Sequence, residues 1–428
     1  MAKTDPLKQI TRGRVNFIGS FRSVLRFRKF EWNATTRRLV SAASVSDLRN
    51  IAQRRLPAGI FDYIDGGAED EITLARNSAD FSLISFRPRV LADVTSLDPS
   101  TELFGKKMTM PLILAPTGFT RIADPEGELS VARAAQRAGI PYTLSTMATR
   151  SIEEVSSVTS SPARNWFQVY VWRDRDLVES LLGRAKTAGY EAIVITVDTP
   201  VLGRRERDIR RGFLLPPKVG LDTLFEGARH PRWTLDLLRS EPIAFSNLRG
   251  TDVGDGSSPV ALSEQVNSQF DQALSWHDIA WFRKIWNGPI VLKGIQRVED
   301  AKIAVDSGVD AIALSNHGGR QLDGAPSPVS LISSVIDATH NAIPVLCDGG
   351  IRRGSDIAKA IALGATSCMI GRAYLYGLAS GGERGVDHAL ALLREGLLKT
   401  MALTGSRSIN DLTKDLVEIP SSWSSHQS

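Results

Sequence analysis

AIALSNHGGRQLDG, residues 311–324, runs from an apolar segment of strand length straight into a serine, a histidine, two glycines and an arginine. Residues two apart in a strand face the same side, so Ser315 and His317 leave the apolar run as a pair on one face. Gly318 and Gly319 let the backbone bend away directly after the histidine, and Arg320 puts a cation three positions further on. A strand with a base and a cation at its C-terminal end would suit an active site at the rim of a parallel sheet. Whether the other strands end in the same way decides the fold.

They do. Apolar runs recur as LILAPTG from 112, YTLST from 142, WFQVYV from 166, AIVITVD from 192, PIVLKG from 289, PVLCDGG from 344 and SCMIGR from 367. Between them lie amphipathic segments such as ELSVARAAQRAG, DLVESLLGRAKTAG, VEDAKIAVDSG and SDIAKAIALG, mostly closed by the glycine that helix C-termini favour. Eight alternations predict an α/β chain folded as a (β/α)8 TIM barrel, in which active sites occupy the C-terminal strand ends. Each run gains polar or glycine residues there: Thr117, Ser145, Gln168 with Tyr170, Thr196 with Asp198, Lys293, Ser315 with His317, Asp348, and Gly371 with Arg372. DGGIRRG after strand seven and IGR after strand eight predict a phosphate site, with Arg352 or Arg353 facing the anion and Ser355 capping the next helix. Among six histidines only His317 stands at a strand end. A carboxylate such as Asp198 beside it stabilises the imidazolium formed when it takes a proton. Arg205 and Arg320 suit a substrate carboxylate, which a planar guanidinium grips through two parallel bonds.

The 428 residues divide into a basic extension (1–43), a barrel domain (44–412) and a tail (413–428). A long insertion after strand four (205–285) reads as a lid or as a packing elaboration. Residues 1–40 hold ten Lys/Arg against two acidic residues, a charge of +8, so the overall +5 leaves −3 for the rest. The basic excess therefore belongs to one arm and not to a nucleic-acid surface. In that arm VNFIGSFRSVLRFRKF suits either a helix lying on an anionic membrane or a contact with a neighbouring subunit. Two cysteines, Cys347 and Cys368, both within apolar runs, support neither a disulfide framework nor a metal cluster. The expected location is cytoplasmic, with the inner face of the cytoplasmic membrane as the peripheral option.

SNHGGRQLDGAPSP, together with FDYIDGGAEDE, LILAPTGFTRIADPEGE, YTLSTMATRSIEE, WFQVYVWRDRD, ITVDTPVLGRRERD, IVLKGI, LCDGGIRRG and MIGRAYLYG, resembles the FMN-dependent L-2-hydroxy acid oxidoreductases from about Ser44 to Leu412. The resemblance implies FMN as cofactor, and within the family it leans towards respiratory L-lactate dehydrogenases. By position it makes His317 the base, Asp198 its support, and Tyr63, Tyr170, Arg205 and Arg320 the substrate contacts. Gln168 and Thr196 would hold the flavin, with Lys293 beside its pyrimidine ring, while Ala115, Pro116, Thr117, Ser145 and Ser315 would line the isoalloxazine. Asp348, Gly349, Gly350, Arg352, Gly371 and Arg372 would hold ribityl and phosphate. Gly118 and Met147, smaller than the residues of many family oxidases, imply room for a substrate at least as large as lactate. The resemblance points first to oxidation of L-lactate to pyruvate with a quinone or cytochrome as acceptor, in a homo-tetramer. An H2O2-forming oxidase is the rival enzyme. A catalytically silent carboxylate-binding protein is disfavoured because His317, Arg320 and Lys293 are all present.

Overall fold

The computed structural model describes residues 31–160, 164–211, 226–248 and 269–423. Its centre is a closed barrel of eight parallel strands: β1 Leu112–Leu114, β2 Tyr142–Ser145, β3 Asn165–Tyr170, β4 Ala192–Thr196, β5 Ile290–Ile295, β6 Ala311–Ser315, β7 Val345–Asp348 and β8 Ser367–Ile370. Each strand pairs with its neighbours in chain order, and β8 closes on β1. This is the predicted (β/α)8 architecture.

Period-two alternation explains how one set of strands builds both a dry core and a polar mouth. Ile113, Trp166, Ala192, Val194, Val291, Ala311, Ala313, Leu346 and Met369 form one apolar cluster inside the barrel. Their alternates, among them Leu112, Leu114, Ile193, Ile195, Ile312, Cys347 and Cys368, join the larger cluster between barrel and helices. Continuing each inward series by two residues leads from Trp166 to Gln168 and Tyr170, from Val194 to Thr196 and Asp198, from Val291 to Lys293, from Ala313 to Ser315, and from Leu346 to Asp348. The face that is apolar at the floor is therefore polar at the rim. Register aligns these residues: Ser145 lies opposite Gln168, Thr196 opposite Lys293, and Ser315 opposite Asp348. The floor is closed by the hairpin Thr101–Leu103/Lys106–Met108, whose Leu103 and Met108 join the interior cluster.

Two stretches read from sequence as flanking the barrel contribute to its packing. The helix Ala34–Ser41 brings Leu39 and Thr35 against Gly381, at the end of the helix Arg372–Gly381. Near the C-terminus, Val417–Glu418 pairs antiparallel with Ser85–Phe86. VNFIGSFRSVLRFRKF and the glycine- and serine-rich TDVGDGSSP lie outside the described residues. No helix among the described residues is long and apolar enough to cross a membrane.

The described parts of the insertion include the helix Pro231–Arg239, fixed to the barrel by Trp233, whose Nε1 donates to the Ile122 carbonyl at 2.8 Å. The chain then returns to the mouth, where the Phe245 ring meets Phe119 at 4.4 Å between centroids. Part of the insertion thus forms a wall of the mouth.

Candidate active site

A cavity of about 400 Å³ opens at the C-terminal end of the barrel. Among the sequence-predicted residues, Tyr63, Ala115, Pro116, Thr117, Ser145, Tyr170, Thr196, Arg205, Lys293, His317, Arg320, Asp348, Gly349, Gly350, Arg352, Gly371 and Arg372 face it. Gln168, Asp198 and Ser315 sit one layer back. Gln168 accepts from the Ser145 hydroxyl at 2.9 Å and donates to Thr196 Oγ1 at 2.9 Å. Ser315 Oγ accepts from Lys293 Nζ at 3.0 Å and donates to Asp348 at 2.7 Å. Both place polar groups on neighbouring strands and so orient residues that face the cavity.

Local backbone geometry brings the base to the rim. His317, Gly318 and Gly319 are three successive residues with positive φ, 58°, 66° and 73°, so the chain reverses directly after β6. At φ 66° Gly318 adopts a backbone conformation that L side chains rarely take, and a Cβ there would also crowd an Arg372 nitrogen at 2.7 Å. Across the cavity rim, Gly294 bulges β5 at φ 117°, and a Cβ there would come within 2.8 Å of Asp198. The gap left by that missing side chain lets Asp198 sit behind the imidazole.

His317 Nδ1 lies 3.0 Å from Asp198 Oδ1, and Nε2 points towards the Tyr170 hydroxyl at 3.5 Å. Burial pulls the His317 pKa below the ordinary imidazole value, opposed by Asp198, with Lys293 and Arg205 lowering it further. Burial alone would raise the Asp198 pKa, but His317 and Lys293 hold it lowered. The result is a neutral imidazole backed by a carboxylate, ready to accept a proton. Desolvation pulls the pKa of Lys293, buried beside Asp348 at 2.8 Å, downward; Asp348 and Asp198 more than offset that and raise it. Burial pushes the Tyr170 phenol up to about 12 and keeps it protonated as a donor.

Replacing Asp198 with asparagine removes the carboxylate that raises the His317 pKa. The acid limb of the kcat/KM profile then moves to lower pH, while the rate above it falls because the imidazolium has lost its partner. A profile with an unmoved limb would show that His317 is not the titrating group.

Two guanidiniums face the same space. Arg320 Nη1 is anchored by the carbonyls of Tyr63 at 2.6 Å and Gly66 at 3.0 Å, and its plane lies over the Tyr63 ring at 5.0 Å. Burial, with Arg205 next, lowers the Arg320 pKa to about 9. Arg205 Nε is buried with no hydrogen-bond partner. Two guanidiniums converging on one cavity, one of them with an unpartnered buried Nε, suit a carboxylate.

The opposite end suits a phosphate. Gly371 precedes the helix Arg372–Gly381, whose N-terminus adds its positive dipole end. Arg352 faces the cavity and Arg353 is exposed, which decides between the two. Arg372 also braces the loops, donating to the carbonyls of Ile64, Gly318 and Gly66 at 3.1, 2.8 and 2.7 Å. Ser355 does not cap its helix. The helix Gly354–Ala362 takes Arg353 as N-cap residue, and the Asp356 carboxylate accepts the N–H groups of Arg352 and Arg353 at 2.9 and 2.8 Å. An acceptor at the third helical position satisfies those donors better than a serine inside the first turn.

The site also uses residues that the sequence reading missed. Ile243, Phe245, Phe270 and Leu202 also line the cavity. Tyr374 bonds Thr117 Oγ1 at 2.7 Å and the Ala115 carbonyl at 2.8 Å. Asn77 and Asn316 exchange amide bonds at 2.8 and 2.7 Å beneath the His317 turn. The only sequence signal for Asn316 was its place inside SNHGG; nothing marked Asn77.

FMN fits these residues. Its flat ring matches the apolar floor of Ala115, Pro116, Met369 and Ile370, and its anionic tail matches Arg352, Arg372 and the helix terminus. Lys293 is the buried cation left for the ring. The sequence model of the family described as FMN-dependent dehydrogenase matches residues 52–419. A putative L-lactate dehydrogenase from Mycobacterium tuberculosis is 44% identical over 400 residues, covering 94% of this chain and 95% of that protein. Glycolate oxidase from Spinacia oleracea is 43% identical over 382 residues, covering 89% and 96%. The crystal structure of the monotopic membrane protein (S)-mandelate dehydrogenase superposes with a TM-score of 0.85 at 38% identity, covering 89% of this chain and all of that one. A barrel mouth that pairs a phosphate end with a carboxylate end, in a chain so similar to these enzymes along most of its length, belongs to the family of FMN-dependent dehydrogenases, the FMN-dependent 2-hydroxy acid oxidoreductases.

Proposed function

We propose that the protein oxidises L-lactate, or a larger L-2-hydroxy acid, to the 2-oxo acid and passes the electrons to a quinone or cytochrome. The observation that carries this reading is the convergence of the His317–Asp198 pair with Arg205 and Arg320 on one cavity. When bound, FMN supplies the two-electron acceptor. Arg320, Arg205 and Tyr63 hold the substrate carboxylate, which fixes C2 and its hydroxyl relative to the base. Tyr170, kept protonated, donates to the substrate oxygen. His317 takes the proton, and Asp198 stabilises the imidazolium. Lys293 places positive charge where negative charge accumulates on the cofactor side. Relatives named as lactate dehydrogenases support the substrate. The description of mandelate dehydrogenase as a monotopic membrane protein supports a membrane-surface acceptor and a peripheral location. A homo-tetramer is part of the same proposal.

The glycolate oxidase relatives favour a second reading in which reduced flavin reacts directly with oxygen. Mixing the holoenzyme with L-lactate without oxygen and then admitting air separates the two. Bleaching of the flavin that outlasts air exposure is the expected result. Rapid recovery with peroxide would make the enzyme an oxidase. Absence of bleaching would exclude lactate and move the assignment to larger 2-hydroxy acids.

A further inference from the structure

The loop Gly66–Glu71, from the motif FDYIDGGAEDE, bonds every segment that carries a substrate-facing cation, yet no step of the chemistry uses it. The Gly66 carbonyl accepts from Arg320 and from Arg372. Ala68 N–H donates to the Gly319 carbonyl at 2.8 Å, and Glu69 N–H donates to the Arg204 carbonyl at 2.9 Å. Glu69 and Glu71 adopt positive φ, 46° and 62°, strain that persists only where the surroundings fix the loop.

Arg207 crosses from the Arg205 segment to this loop. Its Nη1 bonds Asp65 at 3.1 Å and its Nη2 bonds Glu71, with Asp62 at 3.8 Å. Neither anchor depends on it. Asp65 also accepts from Arg49 at 2.6 and 2.7 Å and from the Tyr376 hydroxyl at 2.7 Å, and Glu71 accepts from Gly67 N–H at 2.8 Å. Arg207 is therefore dispensable for neutralising Asp65, and what it adds is a tie between two segments. Between Gly203 and Arg211, the Glu69–Arg204 backbone bond and an Arg211–Asp62 pair at 3.0 Å also tie the segment to the Tyr63 side.

We propose that Arg207 is a positioning residue: through Asp65 and Glu71 it latches the segment carrying Arg205 to the loop that holds Arg320, and so sets the spacing of the two guanidiniums that grip the substrate carboxylate. This rests on the reading of Arg205 and Arg320 as the carboxylate site. Mutual repulsion of the two cations, visible in Arg205 lowering the Arg320 pKa, acts to open that spacing, and the latch opposes it.

The test compares holoenzymes carrying Arg207→Met, Arg207→Lys and Glu71→Gln with the wild type. Oxalate binding is read from the flavin spectrum, KM and kcat from turnover of an L-2-hydroxy acid, and protection of amides 203–211 from hydrogen exchange. Arg207→Met is expected to weaken oxalate binding and raise KM about tenfold with kcat within about threefold, because the lost interaction serves binding of the substrate equally in ground and transition states. Protection of 203–211 falls in parallel. Arg207→Lys lies between, since an ammonium cannot span two carboxylates as a guanidinium does. Glu71→Gln keeps the Gly67 bond and weakens the latch in the same direction, which preserves the test should Arg207→Met fold poorly. Unchanged oxalate affinity and KM in variants with a lowered melting temperature would overturn the latch and leave an ordinary surface ion pair. A wild-type holoenzyme that bound no oxalate would overturn the carboxylate-site reading itself.

Discussion

Replacing His317 with asparagine lowers the rate of substrate-dependent flavin reduction by about two to four orders of magnitude, the contribution of a positioned general base, while FMN stays bound. Asparagine is the informative replacement because position 317 lies at φ 58°, a region asparagine tolerates better than most residues. The backbone bond from residue 317 N–H to Ser315 Oγ at 3.1 Å is preserved. The flavin contacts proposed above come from other elements: the β1 and β8 ends, Lys293, and Arg352 and Arg372. Removing the imidazole therefore deletes the proton acceptor and leaves the cofactor cradle. Anaerobic stopped-flow at saturating substrate measures the effect directly. A variant reduced within tenfold of the wild-type rate would show that the proton leaves by another route, and Tyr170 or a water would have to be considered in its place. Loss of flavin from the purified variant would instead assign His317 a structural part in the cradle.

That such a prediction was reachable from sequence follows from barrel geometry. Inward residues alternate along each strand, so an apolar run that ends in polar residues at steps of two declares which side chains share the mouth; Val194, Thr196 and Asp198 illustrate this. What the pattern could not show was which of them would reach the cavity. Gln168 and Ser315 belong to the correct face but are held sideways by Thr196, Lys293 and Asp348, and such pairing depends on the neighbouring strand. Contacts distant along the chain were equally hidden. Asn77 meets Asn316 across 239 positions, and the Phe245 wall comes from an insertion whose local composition left a lid and a packing elaboration equally open. Ser355 was misread for a simpler reason: serine is a good N-cap in general, yet here Asp356 supplies the acceptor one residue later.

The buried Lys293–Asp348 pair joins the stability of the barrel to its chemistry, and Lys293→Met is the variant that exposes the join. Both partners are almost entirely buried, and losing the lysine leaves Asp348 with the Ser315 hydroxyl as its remaining side-chain donor. Breaking one side of a buried ion pair costs about 3–5 kcal/mol because the surviving charge is uncompensated. Neutralising both partners in Lys293→Met/Asp348→Asn removes the uncompensated charge and restores most of the loss. Urea titrations of the three apo-proteins test this, and equal destabilisation in single and double variants would place the cost in lost packing. Catalysis shifts in the same variant by the same electrostatics: Lys293 lowers the His317 pKa and helps keep Asp198 ionised, so its removal raises the imidazole pKa and carries the acid limb of flavin reduction upward. Asp198→Asn moves that limb downward. Opposite displacements by two neutralising substitutions on either side of one imidazole are what a base poised between a cation and a carboxylate must show.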